Sequence, residues 1–497
     1  AQAGAWAASD ESHKTSWQTN RYRATAQTVV GPEQWNDFIL GLLGDGECLV
    51  DNISVVQSPD TAPVELIVNG SFESGLTGWR VIGDHRHSRV ETDPDNPSNH
   101  VLHVVASGPQ EHMHNHVECT LTNGYSIANG RTYEISFRAK WVAGNNLLNT
   151  RLYFDRVART SALPIPALTG TPGARNSCYT ANLGPTFNEF QHKPVIPQPA
   201  EKVSVSVKAQ DPQGVSLCQV LWSVNGGSFS SASMTLDGNG FYTGSIPAAT
   251  AGAIVQFYVR AVDGQGAVAM YPAAGPGSGA LYMVADGQAD LSQGHNVRVV
   301  LTPANRALLH ALTNVMSNET LPCTIVVDEK RAYYDAGVRL KGSERGRYSD
   351  TRVSFHLEFQ PDDLFRGVHP VMLVDRSGTG DATANRQEEI VVRHILLRAG
   401  GIPGTQPDMC RVIAPFSTHT GSAILSPRHE DEFVRTAYDN GGDGSQWEME
   451  LIYYPTTANA GGYKYPTPDN VVSVDLSDLG DEKETYRYNF ILGTFQK

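Results

Sequence analysis

Residues 66–79 read L-I-V-N-G-S-F-E-S-G-L-T-G-W, and the fold of the N-terminal half turns on them. Leu66, Ile67 and Val68 make a short apolar strand that runs into Asn69-Gly70, a pair suited to a tight turn. Phe72 is placed to enter a core, and Gly75 and Gly78 mark turns before Trp79, which reads as core. Downstream, Val101/His103/Val105 and Tyr133/Ile135/Phe137/Ala139 alternate as half-buried strands do. Short strands between glycine turns predict a β-sandwich. The stretch C-L-V-D-N-I-S-V at 48–55 is echoed by L-Y-F-D-R-V-A at 152–158, each with a central aspartate. The echo predicts the back end of one sandwich module at 1–58 and a complete copy at 64–160.

The rest of the chain divides by composition. A stretch rich in Pro, Gly, Thr and Asn predicts a linker at 161–199. Val203, Val205, Val207 and Ala209 then alternate, turns follow at D-P-Q-G and D-G-N-G, and Val255, Phe257, Val259 and Ala261 alternate again. That spacing predicts an immunoglobulin- or fibronectin-like sandwich at 200–285, read as a spacer. From 295 to 497 the pattern changes to α+β. Thr302-Pro303 opens a helix whose apolar face would carry Leu308, Leu309, Leu312, Val315 and Met316. A strand follows at 323–327, then a hairpin at 336–359. A second helix at about 385–399 opens with Asn385 and Glu388 as a capping box and closes at Gly400-Gly401. The fold class is therefore a multidomain chain of all-β sandwiches, first jelly-roll-like and then immunoglobulin-like, followed by an α+β domain.

Bulk properties narrow the function. The length of 497 residues predicts about three domains, and a formal charge of −14 with no basic block excludes general nucleic-acid binding. No apolar run approaches the roughly 18 residues of a membrane span. The six cysteines are scattered without a C-x-x-C pair, which argues against zinc-ribbon and thioredoxin sites and leaves free thiols and disulfides both open. The start A-Q-A-G-A-W and the end I-L-G-T-F-Q-K both read as cut ends.

Three groups of residues could carry chemistry. The hairpin tip holds Arg345 and Arg347 beside Gly342 and Gly346, and basic side chains on a glycine turn clamp phosphate oxygens. Seven of the 16 histidines fall between residues 85 and 116, and His112, His114 and His116 would share a strand face about 7 Å apart. Those three suit a transition metal, while polar-edge or sugar-contacting histidines explain the same pattern. For stacking on a pyranose, Trp141 and Tyr153 are the candidate aromatics.

The 66–79 stretch resembles the opening of the CenC-type carbohydrate-binding modules. That resemblance implies a glycan or cell-wall polysaccharide as partner and a structural Ca²⁺ held by Asn69, Glu73 and Asp155, oxygen donors suited to a hard cation. The run V-R-L-K-G-S at 338–343, Ser354-Phe355 after Arg352, V-M-L-V-D-R at 371–376, and the helix bearing Glu388, Glu389 and Arg393 occur in order. That order resembles the CotH family of spore-coat-type atypical kinases over residues 295–497. The resemblance implies ATP and Mg²⁺ as cofactors, with Lys341 and Arg352 neutralising phosphates. Asp375 belongs to the third matching segment, and Glu388 or Glu389 would orient a cation from the helix beside Arg393. Phosphate would pass to Ser or Thr of exported proteins, placing the chain outside the cell or at its surface. Thr418-His419-Thr420-Gly421 lacks the family's asparagine and Pro427 stands where a glutamate is expected. These departures support an alternative: a non-catalytic surface scaffold that binds glycans and keeps a degenerate kinase-like domain.

Overall fold

The structure, a computed structural model, describes residues 16–26, 36–110, 115–152, 156–166, 173, 175, 179–342, 347, 353–376, 387–400, 402–428, 431–439, 453–455 and 471–473. The chain forms two compact units, one of residues 1–179, 311–319 and 447–497, the other of 180–310 and 320–446.

The first unit is a β-sandwich of eleven strands: β1 (Gln18–Thr25), β2 (Asp37–Leu42), β3 (Gly46–Gln57), β4 (Val64–Glu65), β5 (Trp79–Val81), β6 (Arg89–Asp93), β7 (Asn96–Ala106), β8 (Val117–Thr120), β9 (Thr132–Gly144), β10 (Leu147–Leu152) and β11 (Arg156–Ala162). One sheet runs β1-β9-β3-β7-β6 with β4 beside β3, and the other runs β11-β10-β2-β8-β5. Residues 18–57 are thus not part of a separate module, contrary to the division at 58–64. β3 lies between β9 and β7, and β2 lies between β10 and β8, so both are interior strands of the sandwich that 64–162 completes. The echo at 48–55 came from strand periodicity, which any two strands share.

The 66–79 stretch is a turn, not a strand. The Glu65 carboxylate accepts from the backbone N–H groups of Val55, Leu66 and Ile67 at 3.0–3.1 Å, and strand pairing on this side ends with Glu65 opposite Val56. Phe72 and Trp79 do enter the core, with ring centroids 5.1 Å apart. Gly70 is required where the turn meets β3. Its carbonyl accepts the Ile53 N–H at 2.9 Å, and a Cβ would collide with the Ile53 carbonyl oxygen. Gly70→Ala is therefore expected to lower stability by about 2–4 kcal/mol, since backbone must yield. Chemical denaturation checks this, and an unchanged midpoint would contradict the close approach.

On β7 the core is filled by Leu102, Val104 and Ala106, so the alternating set Val101/His103/Val105 lies on the opposite face. Both faces of β7 carry apolar residues, and alternation alone did not distinguish them. Tyr133, Ile135, Phe137 and Ala139 of β9 do face the core.

The second unit begins with a sandwich of β12 (Thr186–Lys193), β13 (Val203–Gln210), β14 (Val215–Val224), β15 (Ser230–Ser233), β16 (Thr235–Leu236), β17 (Tyr242–Ile246), β18 (Ile254–Asp263), β19 (Val268–Tyr271) and β20 (Leu281–Met283). Its sheets run β12-β13-β17-β16 and β15-β14-β18-β19, with β20 on β18. The expected linker at 161–199 supplies β12, because Phe190 stacks on Phe257 at 5.4 Å and anchors the strand.

Seven strands then close a barrel in the order β21-β22-β23-β24-β25-β27-β26: β21 (His295–Val300), β22 (Leu321–Val327), β23 (Arg331–Lys341), β24 (Ser354–Glu358), β25 (Val371–Asp375), β26 (Asp408–Ile413) and β27 (Gly421–Pro427). Among the described residues the helices beside it are α1 (Pro303–Leu309), α2 (Gln387–Gly400) and α3 (Asp431–Ala437). Thr302 caps α1 as expected, accepting the Asn305 N–H at 3.1 Å. The helix stops at Leu309, short of Val315 and Met316. Residues 311–319 belong to the first unit instead, where the Asp84 carboxylate accepts from Ser317 Oγ and from the N–H groups of Asn318 and Glu319 at 2.7–3.1 Å. Those bonds hold the end of the segment, within which the Val315 N–H still donates to the Ala311 carbonyl at 2.8 Å.

The sandwich of β12–β20 packs against the barrel. Ile254 and Leu281 share an apolar cluster with Val300, Val326 and Ala332 of the barrel, and Thr324 Oγ1 donates to the Gly279 carbonyl at 2.5 Å. The described cysteines, Cys48, Cys119, Cys218, Cys323 and Cys410, are buried and free. Burial pushes the thiols of Cys119 and Cys410 up to about 11 and about 12.

Candidate functional site

The sheet β11-β10-β2-β8-β5 has two unlike faces. Phe38, Leu40 and Leu42 of β2, Val117 and Cys119 of β8, and Leu148 and Leu152 of β10 point into the core. The other face is polar. Register places Arg151, Ile39, Glu118 and Arg80 abreast across four strands. The neighbouring rows on the same face hold Asp37 with Thr120, and Gly41 with Asn149.

These charges are buried yet paired. Arg80 Nε lies 2.6 Å from Glu118 and its NH2 lies 3.3 Å from Asp37, which also accepts from Thr120 Oγ1 at 3.0 Å. Burial pushes the Glu118 carboxyl up, but His116 at 3.2 Å and the Arg80 guanidinium outweigh it, so the net shift is downward and Glu118 stays an anion. His85 is pushed down to about 3 by burial and then by neighbouring His116, so it is neutral. In that state its Nε2 accepts the Leu42 N–H at 3.0 Å.

Gly41 makes room for this. A Cβ there would sit 2.8 Å from both His85 Nε2 and Gln110 Oε1. Gln110 is 8% exposed, its amide nitrogen reaches Asn149 Oδ1 at 3.4 Å, and among the described residues its Oε1 meets no hydrogen-bond partner. The face thus holds buried guanidinium and amide donors and carboxylate and amide acceptors in fixed positions, with Arg80, Glu118 and Asp37 paired among themselves. Hydroxyl-rich ligands are recognised by such groups.

The expected residues fall elsewhere. Trp141 continues the core-facing row of β9, half-buried, with its indole N–H donated to the Gly144 carbonyl at 3.1 Å. Asn69 is committed to its own turn, donating to the carbonyls of Gly75 and Thr77 and accepting the Ser74 N–H. Glu73 instead binds His100 through its backbone N–H and Nδ1 at 2.9 and 2.8 Å, which holds its carboxyl below the usual range. Tyr153 and Asp155 lie outside the described residues, so of the expected Ca²⁺ ligands only two are placed, and both serve protein partners. Of the histidines, His85 and His116 border the polar face, His87 pairs with Glu319 and His103 with Glu47, while His112 and His114 lie outside the described residues. Among the described residues no three metal-ligating side chains converge.

In the barrel, Lys341 Nζ lies 2.6 Å from Asp375 Oδ2, and Ser354 Oγ donates to Asp375 Oδ1 at 3.1 Å. Arg347 Nε donates to the Gly342 carbonyl at 2.8 Å, and Arg393 on α2 donates to Thr405 Oγ1 at 2.8 Å. Arg345 and Arg352, and the side chains of Glu388 and Glu389, lie outside the described residues.

Residues 64–160 match the family described as a carbohydrate binding domain, which supports a carbohydrate-binding module in this segment. No curated protein matches the chain. Among solved structures, the chain is similar to the Br derivative of BhCBM56, at 13% identity and a TM-score of 0.14, over 18% of this chain and 88% of that one. It is also similar to the cycloalternan-forming enzyme of Listeria monocytogenes, at 11% identity and a TM-score of 0.16, over 40% of this chain and 18% of the enzyme. A pullulanase from Anoxybacillus sp. LM18-11 matches at 12% identity and a TM-score of 0.14, over 52% of this chain and 28% of the enzyme. At these scores the structural likenesses carry no argument.

Proposed function

We propose that this chain is a multimodular glycan-binding protein whose saccharide lies on the polar face of the β11-β10-β2-β8-β5 sheet. One observation carries the reading: Arg151, Glu118 and Arg80 stand abreast on the face turned from the core of a carbohydrate-binding module. A sheet face of a small sandwich gains nothing in stability from charges it must desolvate. Their place is explained by a ligand with many hydroxyls. The module is of the CenC type in this reading, a cell-wall polysaccharide is the partner, and the protein acts outside the cell. No helix among the described residues is long and apolar enough to cross a membrane. Glycan-array screening of the full chain tests the proposal: the expected result is a saccharide hit lost in Asn149→Ala, and an array without hits would overturn it.

A second reading, phosphoryl transfer by residues 295–497, is favoured by the Lys341–Asp375 pair with Ser354 beside it. Lys341 would meet a nucleotide phosphate and Asp375 an Mg²⁺, with ATP as donor. In that case ATP-Mg²⁺ raises the melting temperature of the wild-type chain and leaves Lys341→Ala unmoved. Equal shifts in both, or none in either, would remove the kinase and leave the scaffold.

A further inference from the structure

The barrel has a cleft of its own, of about 510 Å³, where the first residues of β25 meet the end of β27 and the start of β26. The Lys341–Asp375 pair sits at the opposite end of β25, roughly 13 Å away along the strand. We propose that this cleft binds a small organic anion, a carboxylate or phosphate carried on a ring-sized body.

Arg366, His369 and Arg428 line it, and Asp408 is the one carboxylate among its described lining residues. That is a local excess of cations on a chain whose formal charge is −14. Guanidinium forks match carboxylate and phosphate oxygens two at a time. Phe365, Met372, Leu425 and Phe433 supply apolar wall for the body of the ligand, and the volume is that of a small-molecule site.

Arg366 is held in place by an unusual backbone. Its φ of 51° lies in the left-handed region, which costs free energy at a non-glycine residue unless the surroundings fix it. Here the Tyr333 hydroxyl accepts the Arg366 N–H at 3.2 Å, and the guanidinium lies over the Phe365 ring at 5.2 Å. Asp408 stands 3.5 Å from the same guanidinium, a half-exposed pair that an incoming anion can replace.

The test is calorimetric titration of the full chain with glucuronate, glucose 6-phosphate and neutral glucose. The expected result is binding of at least one anionic probe with Kd about 1 mM or tighter and no binding of glucose at this cleft. Arg428→Gln and Arg366→Ala should each weaken the anion at least about tenfold, with thermal unfolding confirming that the variants fold. Arg366→Lys keeps the charge without the fork and should fall between. Preference for glucuronate or for the phosphate identifies the natural anion. Asn149→Ala, which impairs the sandwich face, should bind the anion as wild type does, so the two sites fail separately. No binding of either anion, glucose bound as tightly, or undiminished affinity in both arginine variants would overturn the proposal.

Discussion

An Arg298→Met chain is expected to lose about 3–5 kcal/mol of stability in the second unit. Arg298 is 1% exposed and grips two carboxylates at once. Its NH1 and NH2 reach Asp286 at 2.8 and 3.0 Å, and its Nε and NH2 reach Glu329 at 2.9 and 3.1 Å. Removing the guanidinium leaves two largely buried anions without their cation, and that desolvation cost is the source of the loss. Replacing all three residues by apolar ones of similar size should restore most of the stability. Burial pushes the Asp286 carboxyl up, but Arg298 more than offsets it and the net shift is downward. A carboxyl lowered on folding contributes stability above its unfolded pKa and loses it as pH falls through its folded value. The wild-type chain should therefore weaken toward acid below the ordinary carboxylate range, and the triple variant should weaken less. Urea midpoints at several pH values check both points.

On the polar face of the sandwich, Arg151→Ala and Asn149→Ala should each weaken glycan binding by about 10–100-fold, or about 1.4–2.7 kcal/mol. The two positions are neighbours on β10, and Asn149 is one hydrogen bond from Gln110. Trp141→Ala should behave in the opposite way. Its indole packs against the core, so truncation lowers stability by about 3–5 kcal/mol at most and leaves affinity in the surviving folded chain unchanged. Affinity electrophoresis of the three variants against the same saccharide separates the two outcomes. Loss of binding in Trp141→Ala alone would restore the stacking reading.

Much of the architecture was legible because strand periodicity is strong. Tyr133 to Ala139 and Val203 to Ala209 alternate cleanly and line cores as their pattern requires. What periodicity does not carry is partnership. The stretches 48–55 and 152–158 look alike, yet only the ladder shows that β3 lies in the middle of the same sandwich. β7 is apolar on both faces, so its core side was decided by packing. The segment 311–319 has helical spacing, but the helix stops at Leu309, and the Asp84 carboxylate holds the segment's far end through the Asn318 and Glu319 N–H groups.

The site was less legible for a related reason. A search for aromatics finds Trp141, whereas the polar face is written as single charges inside apolar strands: Arg80 between Trp79 and Val81, Glu118 between Val117 and Cys119, Arg151 between Thr150 and Leu152. Each reads locally as an ordinary alternating strand. Only the register puts the three charges in one row. The hairpin that carries Lys341 was read from sequence, but the strand that brings Asp375 beside it was not, and only the ladder pairs the two.

Hydrogen–deuterium exchange of the full chain, with and without a saccharide identified on the array, tests the central claim most directly. Added protection should concentrate in 37–42, 79–81, 116–120 and 147–152, the strands that carry the polar row. Protection confined to β9 around Trp141, or to the barrel, would contradict it.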